Sequence, residues 1–121
     1  MAKLSVSRYK STADACDTYL SMVDSAAEDA QRISAGRAAM YSDKLTEARN
    51  PDNTTPLLDD EAKARGITRQ EQIESVLSAD ESWRQRMRKI EVARAGAKAK
   101  IRAASNAREM HQIARAFADS L

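Results

Sequence analysis

The residues equipped for chemistry are few. Cys16 is the single cysteine and His111 the single histidine of 121 residues, so a nucleophile of the Ser or Cys type has one imidazole in the whole chain to activate it. One thiol forms no intrachain disulfide, and a metal site would lack its usual cluster of His and Cys ligands. Cys16 falls on an apolar helical seam and reads as a structural thiol. His111 sits beside the apolar stripe of the last helix and reads as a boundary residue. Asp59, Asp60 and Glu61 have the density of a Mg²⁺ or acid–base site, but in the first turn of a helix three carboxylates are stabilised by the helix dipole alone. Gly36, Gly66 and Gly96 are isolated, so no phosphate-cradling loop is present. Asn53-Thr54-Thr55 matches a glycosylation sequon, which carries meaning only behind a secretory signal. The expectation is a protein with no catalytic residues, no metal ligands and no cofactor.

The sharpest polar feature is Arg84 to Arg108, where Arg84, Arg86, Arg88, Lys89, Arg94, Lys98, Lys100, Arg102 and Arg108 face Glu91 as the one acid between them. At 100° per residue Arg84, Arg88, Lys98 and Arg102 gather within about 80° of one another. That face can track phosphates or pair with an acidic neighbour. No aromatic side chain interleaves it, and no Asn or Gln is placed for base reading, so pairing with acids on the first helix or a neighbouring subunit is the favoured expectation.

These groups must be positioned by helices. Three Gly, two Pro and 4% aromatic residues against 42% hydrophobic and 31% charged exclude an all-β fold and favour Ala-rich helices. The length allows one domain, residues 1–121. Net charge is +2, yet it is unevenly placed: 0 over residues 1–50, −5 over 51–81 and +7 over 82–121. Lys3, Arg8, Lys10, Asp14 and Asp17 interrupt the N-terminal stretch, so no apolar signal region is expected, nor any membrane insertion.

Apolar positions at Tyr9, Ala13, Cys16, Leu20, Val23, Ala27 and Ala30 alternate steps of four and three, the seam of a helix lying along another helix. Two steps of four through Ser34 and Ala38 precede Tyr41, Leu45 and Ala48, which reads as a stutter inside one helix of about 6–49, with Gly36 as a place to bend. Asn50 to Pro56 ends it. Thr55 as N-cap, Pro56 in the first turn and Gly66 as stop bound a short helix of about 56–65. Thr68 and Glu71 form a capping box opening a long helix of about 69–104, in which Ser78 to Glu81 offers a second box and a place to break. Its seam is Ile73, Val76, Trp83, Met87, Ile90, Ala97, Ile101 and Ala104, with Asp80 and Arg94 as polar intruders. Asn106 and Glu109 open a terminal helix of about 107–120, with Met110, Ile113, Phe117 and Leu121 on one stripe. This stripe can dock on a partner or fold back onto the rest of the chain. The whole reads as an all-α elongated helical hairpin, coiled-coil-like, with short connecting and terminal helices. Tyr9, Cys16, Leu20, Val23, Tyr41, Leu45, Trp83, Met87, Ile90 and Ile101 are its expected self-association or partner seam.

The order Tyr41, Lys44, Glu47-Ala48, then Thr55-Pro56-Leu57-Leu58, Glu61-Ala62, Arg65-Gly66-Ile67-Thr68, then Trp83, Ile90-Glu91, Arg94, Lys98, Ile101 and Ala104 resembles small helical proteins encoded among the tail and tail-fibre genes of tailed bacteriophages and prophages. The resemblance covers about residues 41–113 and is one of caps and apolar positions. It implies a virion component or assembly factor, made in the host cytoplasm and built into the particle, with copies of itself or other phage structural proteins as partners. A nucleic-acid-associated phage protein and an assembly chaperone for a tail or fibre subunit are the alternative expectations.

Overall fold

The caps and stops in the sequence place most of the helix ends. The computed structural model describes residues 11–121; among them are five helices and no strand. They are α1 (Thr12–Gln31), α2 (Ala35–Arg49), α3 (Pro56–Arg65), α4 (Arg69–Ala103) and α5 (Ala107–Ser120). Tyr9 lies outside the described residues.

The single helix expected over about 6–49 is two. Arg32 leaves the helical conformation (φ −66°, ψ 136°), and the Ser34 hydroxyl accepts from the Arg37 N–H at 3.3 Å to cap a new helix. The two steps of four in the apolar rhythm therefore mark a helix end supplied with its own serine cap rather than an unwound supercoil. Gly36 lies in the first turn of α2, where it bends nothing.

Thr55 occupies the N-cap position of α3 but does not cap it. Its hydroxyl donates to Asp59 at 3.0 Å and accepts from the Arg69 Nε at 2.7 Å. The open N–H groups of Leu57 and Leu58 donate instead to the Glu47 carboxylate of α2, at 3.3 and 3.0 Å. A negative charge there also complements the positive helix end. Gly66 closes α3 with φ 70°, a left-handed conformation that glycine adopts without steric cost. The Ile67 N–H reaches the Ala62 carbonyl at 3.0 Å and the Gly66 N–H the Lys63 carbonyl at 3.2 Å, a Schellman stop. The capping box of α4 forms in both directions: Glu71 N–H to the Thr68 hydroxyl at 3.1 Å, and Thr68 N–H to the Glu71 carboxylate at 3.2 Å. The Ser78 to Glu81 box is unused, and α4 passes through it unbroken because Asp80 is held by side chains of α2.

The chain divides into two compact units, with α4 contributing to both. The central unit, Ile33–Arg86, packs Leu45, Ala48, Leu58, Ile73 and Val76 together, with Tyr41 against them. The terminal unit joins the described part of Met1–Arg32 to Met87–Leu121. Its core holds Ala15, Tyr19, Val23 and Ala27 of α1, Ile90, Ala97 and Ile101 of α4, and Met110, Ala114 and Phe117 of α5. Asp24 meets Arg94 and Lys98, while Gln31 meets Glu91, so α1 and α4 run antiparallel. Tyr19 meets His111, while Met22 and Ser25 lie beside Ala118, so α1 and α5 run parallel.

The buried stripe of α1 runs in steps of four, Ala15, Tyr19, Val23, Ala27, rotated from the three-and-four seam that the sequence suggested. Ala13 is exposed, and Cys16, Leu20 and Ala30 form the partly buried edge. Rows spaced by four are the ridges that helices present when they cross in globular packing, and small alanines let them approach.

Gly96 lies well inside α4, where a Cβ would meet nothing within 4 Å. A mid-helix glycine costs about 0.5–1 kcal/mol relative to alanine. Gly96→Ala is therefore expected to raise stability by about that amount; urea denaturation followed by circular dichroism checks it, and a lowered midpoint would contradict the open environment.

Candidate functional site

The two polar intruders of the α4 seam are the centres of two side-chain nodes, one in each unit. In the central unit Asp80, 7% exposed, accepts from the Tyr41 hydroxyl in a short hydrogen bond, from Arg49 at 3.0 Å and from Arg84 Nε at 2.9 Å. Three donors on one carboxylate favour its charged form. The Tyr41 hydrogen bond, then the charges of Arg84 and Arg49, hold Asp80 below the usual carboxylate range against the opposing effect of burial. Burial, followed by the hydrogen bond to Asp80 and the charge of that carboxylate, pushes Tyr41 up to about 12.

That shift has a measurable sign. A phenol whose folded pKa is raised contributes stability that is complete below its unfolded pKa near 10 and is lost as pH rises through the folded value. Ultraviolet titration is expected to show a tyrosine component that resists ionisation to about pH 12 and that Tyr41→Phe diminishes. A titration that Tyr41→Phe leaves unchanged at high pH would contradict the geometry.

In the terminal unit Asp24 of α1 accepts from Arg94 Nε at 2.8 Å and from Lys98 Nζ at 3.1 Å. The hydrogen bond from Lys98, followed by that from Arg94, keeps Asp24 below the carboxylate range. Arg94 is raised, first by its hydrogen bond to Asp24. Glu91 accepts from Gln31 at 2.9 Å and from Arg94 at 3.4 Å, and the Gln31 bond lowers it.

The carboxylates of α3 are structural fasteners. Glu61 binds Lys44 at 2.7 Å and accepts from the buried Gln72 at 3.1 Å, while Arg65 donates to the Gln72 carbonyl oxygen. Asp59 is bonded to Thr55 and lies 3.5 Å from Arg69. Among the described residues no group of three His, Cys, Asp or Glu side chains is arranged to hold a metal ion. Cys16 packs partly buried against the terminal core, and His111 is exposed with its ring set edge-on to Tyr19, centroids 5.6 Å apart.

The four cations of the basic face differ in their partners. Arg84 pairs with Asp80 and Lys98 with Asp24, whereas Arg88 and Arg102 are exposed and make no ion pair with a described residue. Of the two courses expected for the α5 stripe, docking on a partner or folding back, the described residues take the second. Met110 is 1% and Phe117 5% exposed inside the terminal core, Ile113 is partly buried, and Leu121 alone lies open. Of the expected self-association or partner seam, Tyr9 lies outside the described residues and the other nine are at least partly covered within the chain. Val23, Leu45, Ile90 and Ile101 are buried, and Cys16, Leu20, Tyr41, Trp83 and Met87 are partly buried. On α1 the cover is supplied by Met110, Ala114 and Phe117 of α5, and in the central unit Leu45 and Tyr41 pack with Leu58, Ile73 and Val76.

Arg49, Gln72 and Tyr19 are structurally important residues that the sequence did not single out, while Asp24 is one of the first-helix acids expected to pair with the basic face. Asp80 and Arg94 did carry a signal, as charges in apolar positions. Glu47 carried none, since it caps a helix from ten residues upstream through a turn whose path the sequence does not fix.

Comparison with family models, curated proteins and solved structures yields no match to this chain. Among the described residues no helix is long and apolar enough to cross a membrane.

Proposed function

We propose that the chain is a non-enzymatic structural or adaptor protein of a tailed phage particle, in the tail or fibre region. It acts by helix-to-helix association with copies of itself or with a neighbouring virion protein. The observation that carries this reading is that the charged nodes tie helix to helix, Asp24 of α1 to Arg94 and Lys98 of α4 and Asp80 of α4 to Tyr41 and Arg49 of α2, and the directions of the pKa shifts agree with it. Asp24, Asp80 and Glu91 are lowered, and Arg94 and Tyr41 are raised. Each moves away from neutrality, whereas a general acid or base works best with its pKa near the operating pH. Such groups fasten helices. The placement in a phage particle rests on the resemblance over residues 41–113.

A second reading follows from Arg88 and Arg102, which remain available to phosphates. Binding to duplex DNA would then weaken with salt, with a slope of about −0.9 per phosphate contact. Contacts from Arg88 and Arg102 alone give a shallow slope, so a steep slope, or tight binding at roughly 0.15 M salt, would show that the exposed Arg86, Lys89, Lys100 and Arg108 take part as well and would favour this reading. An assembly chaperone is the third role. Stopping the reading frame in the encoding phage and imaging the particles tests the proposal: defective tails or missing fibres support it, and particles with intact, functional tails overturn it.

A further inference from the structure

We infer that copies of the chain associate head to tail, the outer edge of α1 on one copy entering the groove between α4 and α5 on the next. The inference rests on the association reading above and names the surfaces.

The groove has a volume of about 630 Å³, with Ala93, Gly96 and Ala97 on the α4 side and Ile113, Ala116 and Phe117 on the α5 side. Lys100 stands at its lip, and Lys89, one turn before Ala93 on the same stripe, extends that lip. Both lysines are exposed and neither makes an ion pair with a described residue. The Glu109 carboxylate, on the other side, accepts from the Ser105 N–H at 2.9 Å. Gly96 gives the floor its openness. Nothing within 4 Å requires a glycine there, so packing inside the chain leaves its missing side chain without a cause. Close approach of another backbone supplies one.

The occupant is indicated by charge. α1 has five acidic residues and no basic one over Thr12–Gln31. Asp24 is occupied by Arg94 and Lys98, and Asp29 by Arg32. Asp17 and Glu28 are exposed, lie on one edge of the helix and make no ion pair with a described residue. Between them that edge carries the small Ser21 and Ser25, with Met22, 48% exposed, on its flank.

The spacings match. Asp17 and Glu28 are eleven residues apart, and so are Lys89 and Lys100. Eleven residues complete three turns within about 20° and span roughly 16–17 Å, so each pair lies on one face at the same separation. In the antiparallel register that joins Asp17 to Lys100 and Glu28 to Lys89, Ser21 falls opposite Gly96. The two surfaces are different patches of the same chain, so the contact is heterologous and propagates into a ring or a filament.

A charge-swap experiment tests this. One variant carries Lys89→Glu and Lys100→Glu, the other Asp17→Lys and Glu28→Lys; all four sites are exposed, and circular dichroism confirms that helicity is kept. Light scattering of the wild-type chain at low ionic strength is expected to report a mass above the monomer that falls as salt is raised, because exposed ion pairs are screened within about 10 Å at 0.1 M. Each variant alone is expected to lose association, and an equimolar mixture to regain it, since every junction is complementary only between unlike copies. Gly96→Leu, which fills the groove, is expected to abolish association in the wild-type background. A variant that associates like wild type, or a mixture that stays monomeric, overturns the contact. A wild-type chain monomeric under all conditions overturns it too, while the virion reading still stands or falls on particle imaging.

Discussion

Ending the chain after Ala104 is expected to unfold the terminal unit, removing the helicity of α1 along with that of α5. Met110, Ala114 and Phe117 are at most 5% exposed and cover the α1 stripe of Tyr19, Val23 and Ala27. Truncating a buried Phe to Ala costs about 3–5 kcal/mol and a buried Met about 2–5, against a total stability of about 5–15 kcal/mol for a small domain. A 20-residue helix with a single amphipathic stripe is marginal without its cover. Phe117→Ala is the single-site form of the experiment and should cost about 3–5 kcal/mol, whereas Leu121→Ala, at a 39% exposed position, should change stability by less than about 0.5 kcal/mol. Far-UV circular dichroism with urea denaturation reads both. A truncated chain that keeps the full helicity of α1 and unfolds cooperatively would return α5 to the role of a free docking element.

Asp80→Ala should destabilise the central unit by about 2–3 kcal/mol, because it strips a charged acceptor from Tyr41, Arg49 and Arg84 at once. The Asp80 side chain is 10% exposed while those of the arginines are 47% and 58%, so the arginines recover water and the phenol recovers less. The pH dependence has a definite sign. Asp80 is lowered in the folded state, chiefly by the Tyr41 hydrogen bond. Its contribution is therefore complete above the unfolded carboxylate value near 4 and is lost as pH falls through the lower folded value. Asp24, also lowered, gives the terminal unit its own acid limb. Urea midpoints measured between about pH 2 and 7 should decline less in Asp80→Ala than in wild type. Equal acid dependence in the two would show that Asp80 does not fasten α2 to α4.

How much of this was legible in the sequence depended on whether the deciding interaction was local. The Thr68–Glu71 box, the Gly66 stop, the Pro56 start and the Asn106 cap each involve residues at most five apart, and the sequence placed all four. The break at Arg32–Ser34 was visible as a disturbance of rhythm but was read as a stutter. A serine between two apolar steps does not announce whether its hydroxyl caps a new helix or stays on the surface of an old one. The Glu47 cap and the Asp24 node depend on how helices far apart in the chain come together, so no spacing encodes them. The α5 stripe showed its apolar face without its destination. Amphipathicity says that a face must be covered but not by which helix, and the same four residues would have served a partner equally well. The candidate interaction surface was least legible. The charges of residues 82–121 were plain, but the split of Arg84 and Lys98 from Arg88 and Arg102 needed the positions of Asp80 and Asp24 in space.

The central claim, that this helical chain is built into a phage particle as a repeated structural component, is tested most directly by quantitative mass spectrometry of purified particles from the encoding phage. The account predicts the chain in the particles at a fixed copy number relative to the tail or fibre proteins, retained after salt washing. Its absence from particles whose lysate contains it in abundance would contradict that claim and identify the chain as a factor that assists assembly and leaves.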